Sequence, residues 1–228
     1  MYKGRKFQSW RQVGHALQAT RIHQARGVDE LAIFDISATP ETREPNYRMI
    51  EELSDKCFMP MTVGGGVRSV EHVRGLLNAG ADKVAICTAL LENAELMNDL
   101  RDFGRQAVVG VIETVNGRVS CRNGSKRIDF DPVDVAKYYA KGVGEIVLNS
   151  ADRDGTMTGY DLETINLVSS AVDIPLVALG GAGTYEHMRE AIQAGASAVA
   201  AGAMFQFTDA TPKGAARYLS EHGIETRI

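Results

Sequence analysis

Two glycine-rich turns carry the residue types that hold phosphate groups. Gly64-Gly65-Gly66 lies between an apolar run and Ser69, and Gly180-Gly181-Ala182-Gly183 lies between another apolar run and Thr184. Glycines at a strand-to-helix turn let backbone N–H groups approach an anion, and the helix start adds partial positive charge. Tight turns without a ligand are the alternative explanation. Because the two turns are alike, we expect a ligand with a phosphate at each end.

Acidic residues at other strand ends could move protons. Glu113 closes the apolar run 106–113, which would place its carboxylate over a barrel mouth as a general acid or base. Asp35 and the segment Asp152-Arg153-Asp154-Gly155 also follow strand-like runs. A solvated carboxylate is the alternative for Glu113. A hydrogen bond that braces the loop is the alternative for Asp35 and Asp152.

Charged residues at the starts of three strand-like runs suggest a second site. Glu30, Lys83 and Glu145 would lie near one barrel axis at its bottom, as a gated entrance or as a salt-bridge ring that closes the core. Residue types alone favour the salt-bridge ring over the gated entrance. His72 and His187 lie early in predicted helices, where we expect surface positions. No His, Cys and acid cluster has metal-ligand spacing, so we expect no metal and no cofactor.

Bulk composition excludes several classes of partner. The 228 residues are 44% hydrophobic and 24% charged, with a net charge of −4 and no basic cluster, which argues against nucleic acid. The sequence contains no run of about 18 apolar residues, so we expect no membrane span. Cys57, Cys87 and Cys121 form no CxxC pair, which suits a reducing cytoplasm.

Short apolar runs alternate with helical periodicity along the whole chain. Strands are predicted at 30–36, 59–63, 82–87, 106–113, 145–150, 175–179 and 197–202. Helices are predicted at about 10–26, 43–56, 69–79, 91–103, 131–141, 161–171, 184–194 and 211–222. This order predicts an α/β fold, a (β/α)₈ TIM barrel with its first strand missing, and a doubly wound sheet is the alternative. Two Asn-Gly pairs in 114–130 predict a small hairpin on the active face.

The chain contains an internal repeat. Residues 60–72 (PMTVGGGVRSVEH) and 175–187 (PLVALGGAGTYEH) align at an offset of 115 (175 − 60). We therefore expect one barrel domain, 1–228, made of half-barrels at about 1–105 and 106–228. The strand that opens the second half has its counterpart upstream of the first residue. Either the barrel is open between strands two and eight, or the missing strand is encoded upstream.

Six segments resemble the cyclase subunit of imidazole glycerol phosphate synthase. They are DELAIFDISA (29–38), TVGGGV (62–67), GADKV (80–84), GEIVLNSADRDGTMTGYD (144–161), GGAG (180–183) and AAGAMFQF (200–207). The resemblance implies a (β/α)₈ barrel that takes ammonia from a separate glutaminase subunit docked on its bottom face. It also implies that the ammonia closes an imidazole ring on a substrate with two phosphates, with lysis of the ribonucleotide.

The resemblance also suggests roles for individual residues. Gly66 and Thr88 would hold one phosphate, and Gly155, Gly181, Gly202 and Ala203 the other. With the strand-end residues, the predicted ligand-binding set is Lys3, Asp35, Gly65, Gly66, Cys87, Thr88, Asp154, Gly155, Thr156, Gly180, Gly181, Gly202 and Ala203. Lys3 matches the lysine of a mobile first loop. Glu30, Lys83 and Glu145 match three of four ammonia-gate residues, and Asp82 matches an acid that meets the glutaminase.

Several positions depart from the family pattern. The family uses two catalytic aspartates, of which the first is absent here with its strand and the second is Glu113, our predicted catalytic residue. Cys87 replaces an asparagine and Leu179 replaces a serine. A longer carboxylate moves the acid, and misplacement by about 1 Å can cost roughly a hundredfold in rate.

These departures, with EPNYRMIEELSDKCFMP at 44–60, resemble a divergent branch of the family found in surface-polysaccharide gene sets. That branch is thought to pass glutaminase-derived ammonia to a sugar-amidating enzyme, which converts an acetamido group to an acetamidino group. We therefore expect a heterodimer with a glutaminase, a phosphorylated ligand and this sugar role. The alternatives are a true cyclase and lyase that makes imidazole glycerol phosphate and AICAR, a non-catalytic ammonia conduit, and an isomerase of the same barrel type.

Overall fold

The computed structural model of the protein describes residues 1–6, 8–122 and 124–226, with the backbone alone for residues 2, 3 and 8–11. Its strands are β1 (Tyr2–Arg5), β2 (Gln8–Gln12), β3 (Leu31–Phe34), β4 (Met61–Gly64), β5 (Lys83–Ile86), β6 (Val108–Val115), β7 (Arg118–Cys121), β8 (Lys126–Arg127), β9 (Glu145–Ser150), β10 (Leu176–Leu179) and β11 (Ala198–Val199). Its α-helices are α1 (Ala16–Ala25), α2 (Tyr47–Ser54), α3 (Val70–Asn78), α4 (Thr88–Glu92), α5 (Leu96–Asp99), α6 (Pro132–Tyr139), α7 (Leu162–Ser169), α8 (Tyr185–Gln193), α9 (Ala203–Phe207) and α10 (Pro212–Glu221).

Seven strands form one curved parallel sheet in the order β11-β10-β9-β6-β5-β4-β3, and helices connect them. This α/β arrangement confirms the predicted barrel-type fold. Within the described chain, β3 and β11 are the two ends of the sheet and do not pair with each other. Ala32 on β3 is exposed, whereas every residue of β4 is buried.

Side chains alternate between two cores because neighbouring residues of a strand point to opposite faces. Val108 and Ile112 of β6 pack outward against the helices. Between them in sequence, Val109 and Val111 point into the barrel. The inner core consists of Ala85, Val109, Val111 and Val147, with Phe34, Cys87, Val177 and Leu179 packed against it.

The repeat extends to the secondary structure. The elements α2, β4, α3 and α4 begin and end 115 residues before α7, β10, α8 and α9 (162 − 47 for the first pair). The helix caps repeat as well. Ser69 Oγ accepts from His72 N at the start of α3, and Thr184 Oγ1 accepts from His187 N at the start of α8.

The N-terminal segment differs from the sequence prediction. A helix was expected over 10–26, but α1 begins at Ala16 because residues 8–12 form β2. This strand pairs antiparallel with β1, with Tyr2 opposite Gln12. Backbone pairing with β1 outweighs the local helical periodicity here.

The helix predicted over 91–103 is wrong as one element. The helix α4 ends at Glu92, and Asn93 takes an extended conformation, φ −134° and ψ 98°, before α5 begins. The prediction of a hairpin in 114–130 is confirmed, since β7 pairs antiparallel with β6 and β8 pairs with β7. Asn116 and Gly117 form its first turn with φ of 51° and 69°, the backbone that Asn-Gly favours.

Candidate active site

Glu113 is a buried acid inside the barrel mouth. Because β6 continues to Val115, Glu113 lies two residues before the strand end instead of closing it, and only 5% of the residue is exposed. Its Oε1 accepts from Ser120 Oγ at 3.0 Å and from Gly124 N at 2.5 Å, so the hairpin covers the carboxylate. Burial raises the pKa of Glu113, although the two hydrogen bonds act in the opposite direction.

Asn149 lies in the candidate site, and sequence analysis did not single it out. It lies on β9 directly beside Glu113 in the parallel register, is 8% exposed, and its Oδ1 has no hydrogen-bond partner among the described residues. The available signal was an amide directly after the apolar run Ile146–Leu148 and still within the predicted strand, because asparagine is depleted in strands.

The first glycine turn follows β4 and leads into α3. Gly65 and Gly66 have φ of 104° and 72°, where a side chain would be strained. A Cβ on Gly66 would lie 2.8 Å from Ala38 Cβ. The N–H of Gly66 donates to Thr39 Oγ1 at 3.3 Å, and His72 Nδ1 lies 3.1 Å from the Gly66 carbonyl oxygen. These close contacts and positive φ angles require glycine at positions 65 and 66, whether or not a phosphate binds at the turn.

The second glycine turn follows β10 and leads into α8. Gly180 and Gly181 have φ of 93° and 104°, and Gly159 N donates to the Gly181 carbonyl at 2.8 Å. Gly183 N donates to His187 Nδ1 at 3.2 Å. The imidazole thus folds back onto the turn, although the sequence position predicts only a surface residue.

Two short helices begin at the ends of β5 and β11. Cys87 precedes α4, and Thr88, its first residue, accepts a hydrogen bond on Oγ1 from Arg122 N at 3.3 Å. Gly202 likewise precedes α9, which begins at Ala203, and no atom lies within 4 Å of the position where a Gly202 Cβ would be. Burial raises the pKa of the Cys87 thiol well above its usual value, which disfavours a thiolate there.

The segment after β9 lies against the N-terminal hairpin. Lys6 N donates to the Asp154 carbonyl at 2.9 Å, and Gly155 approaches Gly4 so closely that a side chain would collide with it. Thr156 Oγ1 donates to the Arg153 carbonyl at 2.6 Å. The side chain of Lys3 lies outside the described residues, so its predicted role stays a prediction.

Asp35 and Asp152 brace their own loops. Ser37 Oγ and Arg43 Nη2 donate to Asp35 at 3.0 and 3.1 Å, and Ser150 Oγ donates to Asp152 Oδ1 at 3.1 Å. Burial opposes ionisation of Asp35, but the Ser37 and Arg43 hydrogen bonds outweigh it and lower the pKa of the carboxyl. Asp35 is therefore a poor proton donor.

Glu30, Lys83 and Glu145 meet at the bottom of the barrel as the charged ring. Lys83 Nζ lies 3.0 Å from Glu30 Oε2 and 3.0 Å from Glu145 Oε2. Burial opposes the lysine charge, but the two carboxylates raise the pKa of Lys83 overall. Asp82, beside the ring in sequence, is exposed and accepts from Met61 N through Oδ2 at 2.7 Å.

The predicted residues thus fall into two groups at opposite ends of the barrel, the charged ring below and the glycine turns with Glu113 above. In the part of the chain that the structure describes, no three His, Cys, Asp or Glu side chains converge as a metal site. No helix within the described ranges is long and apolar enough to cross a membrane.

Comparison with known proteins assigns the chain to a family. The family model for histidine biosynthesis proteins matches residues 1–211. Imidazole glycerol phosphate synthase subunit HisF of Thermobifida fusca is 42% identical over 221 residues, which cover 92% of this chain and 86% of that protein. The subunit of the same name from Pyrobaculum aerophilum is 42% identical over 232 residues, which cover 99% and 92%. The chain therefore belongs to the HisF family, the cyclase subunits of imidazole glycerol phosphate synthase.

Proposed function

We propose that this protein is the synthase subunit that receives ammonia from a glutaminase and forms imidazole glycerol phosphate and AICAR from a ligand with two phosphates. One observation carries the proposal. The apolar barrel interior joins the charged ring at the bottom to the buried acid Glu113 at the mouth. The names of both relatives fit this ring-closing enzyme at least as well as the sugar role that we expected from the sequence.

The inner core suits the passage of a neutral small molecule. Ala85, Val109, Val111 and Val147 line the interior between the two ends. Apolar surroundings penalise a bare ammonium ion far more than neutral ammonia. An ammonium ion that reaches the charged ring would therefore have to leave its proton there, on a carboxylate of Glu30 or Glu145 or on water, before neutral ammonia enters the apolar interior.

Glu113 supplies the proton chemistry in this proposal. Its raised pKa lets the carboxyl hold a proton closer to neutral pH, and a general acid or base works best when its pKa approaches the operating pH. The hairpin that carries Ser120 and Gly124 shields it from water and fixes Oε1. We infer that Glu113 gives a proton to the leaving ribonucleotide nitrogen or takes one from the attacking nitrogen.

The two glycine turns would hold the ligand's phosphates. A phosphate at the first turn would replace Thr39 Oγ1 as acceptor for Gly66 N, and one at the second would replace His187 Nδ1 as acceptor for Gly183 N. Each turn precedes a helix whose N-terminus favours an anion. This exchange of acceptors supports a bisphosphate ligand spanning the mouth.

The bottom face carries an exposed aromatic group suited to a protein partner. Phe58, three residues before β4, is 85% exposed, and Pro60, two residues later, is exposed as well. Aromatic side chains concentrate binding energy at interfaces. With Asp82 on the same face, they support the docking of a glutaminase beside the charged ring.

Sugar amidination is a second candidate. It is favoured by the glutamate at position 113, whose longer side chain is held by the hairpin instead of projecting freely into the mouth. In that reading the barrel delivers ammonia to a third protein, and Glu113 has no part in ring closure.

Glu113→Gln tests the proposal. With the glutaminase and the bisphosphate substrate, we expect product formation to fall roughly 10²- to 10⁴-fold whether glutamine or ammonium supplies nitrogen, because a proton-transfer group is lost. Chromatography would quantify imidazole glycerol phosphate and AICAR. Glu221→Gln, an exposed exchange at the end of α10, is the control.

Two other results would contradict the proposal. Unchanged product formation in Glu113→Gln would show that Glu113 takes no part in the reaction and would favour a non-catalytic ammonia conduit. If the wild-type protein stimulates the glutaminase yet makes no imidazole glycerol phosphate, the sugar role becomes the better account.

A further inference from the structure

We propose that Asn149 is a ligand-binding residue that accepts a hydrogen bond from the middle of the bisphosphate ligand, from a ring N–H or a hydroxyl. The inference rests on the proposed function, which supplies a ligand with phosphates at both ends. Its starting point is a buried amide oxygen, Asn149 Oδ1, with no partner among the described residues. A buried acceptor without a donor costs roughly 1–3 kcal/mol by typical mutational values, so such a group calls for a reason.

Asn149 points into the mouth and not into the outer core. Val147, two residues earlier on β9, belongs to the inner core, and residues two apart share a face of a strand. In the register of the sheet, Asn149 lies between Glu113 on β6 and Leu179 on β10. One layer deeper, Val111, Val147 and Val177 lie side by side. Asn149 and Glu113 are thus adjacent polar groups above an apolar floor.

The strand order places this pair between the two glycine turns. The first turn follows β4 and the second follows β10, and the sheet runs β10-β9-β6-β5-β4. The strands of Asn149 and Glu113 are therefore inside the arc that the ligand must span. A ligand anchored by a phosphate at each turn carries its central atoms past both side chains.

The second glycine turn packs directly against the amide. A Cβ on Gly180 would lie 3.0 Å from Asn149 Oδ1 and 2.5 Å from the Ser150 carbonyl oxygen. Only glycine fits at position 180, and its backbone brings this phosphate turn directly beside Oδ1. A ligand held there by its phosphate can bring a donor to Oδ1.

An amide suits this position beside a proton-transfer acid. Its oxygen accepts a hydrogen bond without carrying charge, so it orients the ligand without competing for the proton of Glu113. A neutral group also avoids like-charge repulsion with the carboxylate of Glu113. In this proposal, Asn149 binds the donor at the centre of the ligand, and Glu113 transfers the proton.

Asn149→Leu is the test, since leucine has similar volume and no acceptor. Calorimetry would measure the affinity for imidazole glycerol phosphate and for inorganic phosphate, and thermal unfolding would give Tm. We expect the affinity for imidazole glycerol phosphate to fall roughly tenfold to a hundredfold, with KM for the substrate rising in parallel. Affinity for inorganic phosphate should stay within about twofold because the glycine turns are untouched, and Tm should hold or rise.

Thr114→Val is the matched control. Thr114 Oγ1 is also buried without a partner among the described residues, but Thr114 follows Glu113 and so faces the opposite side of β6. We expect this variant to keep both affinities. If Asn149→Leu fails to fold, Asn149→Ala provides the same measurement without added bulk.

The outcomes separate this inference from the proposed function. Unchanged affinity for imidazole glycerol phosphate in Asn149→Leu would reduce Asn149 to a structural residue and leave the proposed function intact. If the wild-type protein binds neither imidazole glycerol phosphate nor AICAR, both the proposed function and this inference fail.

Discussion

A single glutamate shows how neighbouring backbone decides what an acid can do. Glu113 would be an ordinary strand-end carboxylate if β6 ended where its apolar run suggests. Instead, the strand turns back through β7, and Ser120 and Gly124 hold Oε1 in a buried position. Burial then raises the pKa of the carboxyl. The chemistry of this residue is therefore set by the hairpin as much as by its own side chain.

The raised pKa of Glu113 has a stability consequence that Glu113→Gln should reveal. Between the ordinary value of 4.5 and the raised value, the folded protein holds a proton that the unfolded chain has lost, so the wild-type free energy of unfolding falls as pH rises. Glutamine has no such dependence, and its Oε1 can still accept from Ser120 and Gly124. We expect the stability of Glu113→Gln relative to wild type to increase with pH above about 4.5 and then level off.

Urea unfolding from pH 5 to pH 8 would check this, with Glu221→Gln as the control exchange. A stability difference that is constant over this range, or that shrinks as pH rises, would show that burial does not hold the proton on Glu113.

Residue types predicted part of the candidate site that the structure brings together and could not predict the rest. The glycines, Glu113 and the charged ring were accessible because their chemistry is local in sequence. Asn149 and the covering of Glu113 depend on which residues face each other across β6, β7 and β9. Register of this kind is fixed by pairing between distant segments, which one sequence does not display. Asp35 was a site candidate by position, yet its partners Ser37 and Arg43 make it a loop brace.

At the scale of elements, the repeat fixes how the two glycine turns are supported. The helices α3 and α8 begin with the same kind of cap, a hydroxyl of Ser69 or Thr184 that accepts from the N–H three residues later. The cap sets the direction of the first turn of the helix and hence of the N–H groups in the preceding loop. The two turns are alike because their helices start alike.

Removing these two caps should lower stability equally. We expect Ser69→Ala and Thr184→Ala each to reduce the free energy of unfolding by about 1 kcal/mol, because each leaves a helix N–H without its acceptor. The double variant should lose about 2 kcal/mol, since distant sites are additive. Urea unfolding measures the effect, and Ser220→Ala, exposed within α10, is the control. A loss at one helix only would mean that the two caps are not equivalent.

Elements were predicted well where periodicity is long and poorly where it is short. The sequence located all seven barrel strands, with ends displaced by up to three residues. It missed α4 and α9 as separate helices, because five residues span too little of the 3.6-residue period to be read. It also missed β1 and β2, whose pairing joins Tyr2 to Gln12 and has no signature in either segment alone. Half-barrel boundaries at 1–105 and 106–228 stay a prediction.

At the scale of the whole molecule, two sites lie at opposite ends of one barrel. The charged ring of Glu30, Lys83 and Glu145 is below, and Glu113 with the glycine turns is above. The inner core connects them without another charged side chain in its described members. In the proposed function, this separation would let nitrogen enter from one partner while the ligand binds at the other end.

Lys83→Ala should uncouple glutamine hydrolysis by the partner at the bottom of the barrel from product formation at its mouth. Without the lysine, the carboxylates of Glu30 and Glu145 lose the cation that lies 3.0 Å from each, so the ring rearranges. We expect glutamine-driven product formation to fall roughly tenfold relative to ammonium-driven formation, a ratio typical of coupling between sites. Parallel assays with the two nitrogen sources measure this ratio, and exposed Lys141→Ala is the control. Equal losses with both sources would show that the ring does not gate ammonia.

Elements of the first half recur 115 residues later in the second half, so the two halves could be exchanged or duplicated by gene fusion. The second half carries four barrel strands, β6, β9, β10 and β11, whereas the described first half carries three, β3, β4 and β5. A gene fusion of two second halves would supply eight strands and two copies of Glu113, one on each side of the cylinder. Such a chimera would bring opposed acids together above a single pore, and its folding would show whether a closed barrel can be assembled from one repeated module.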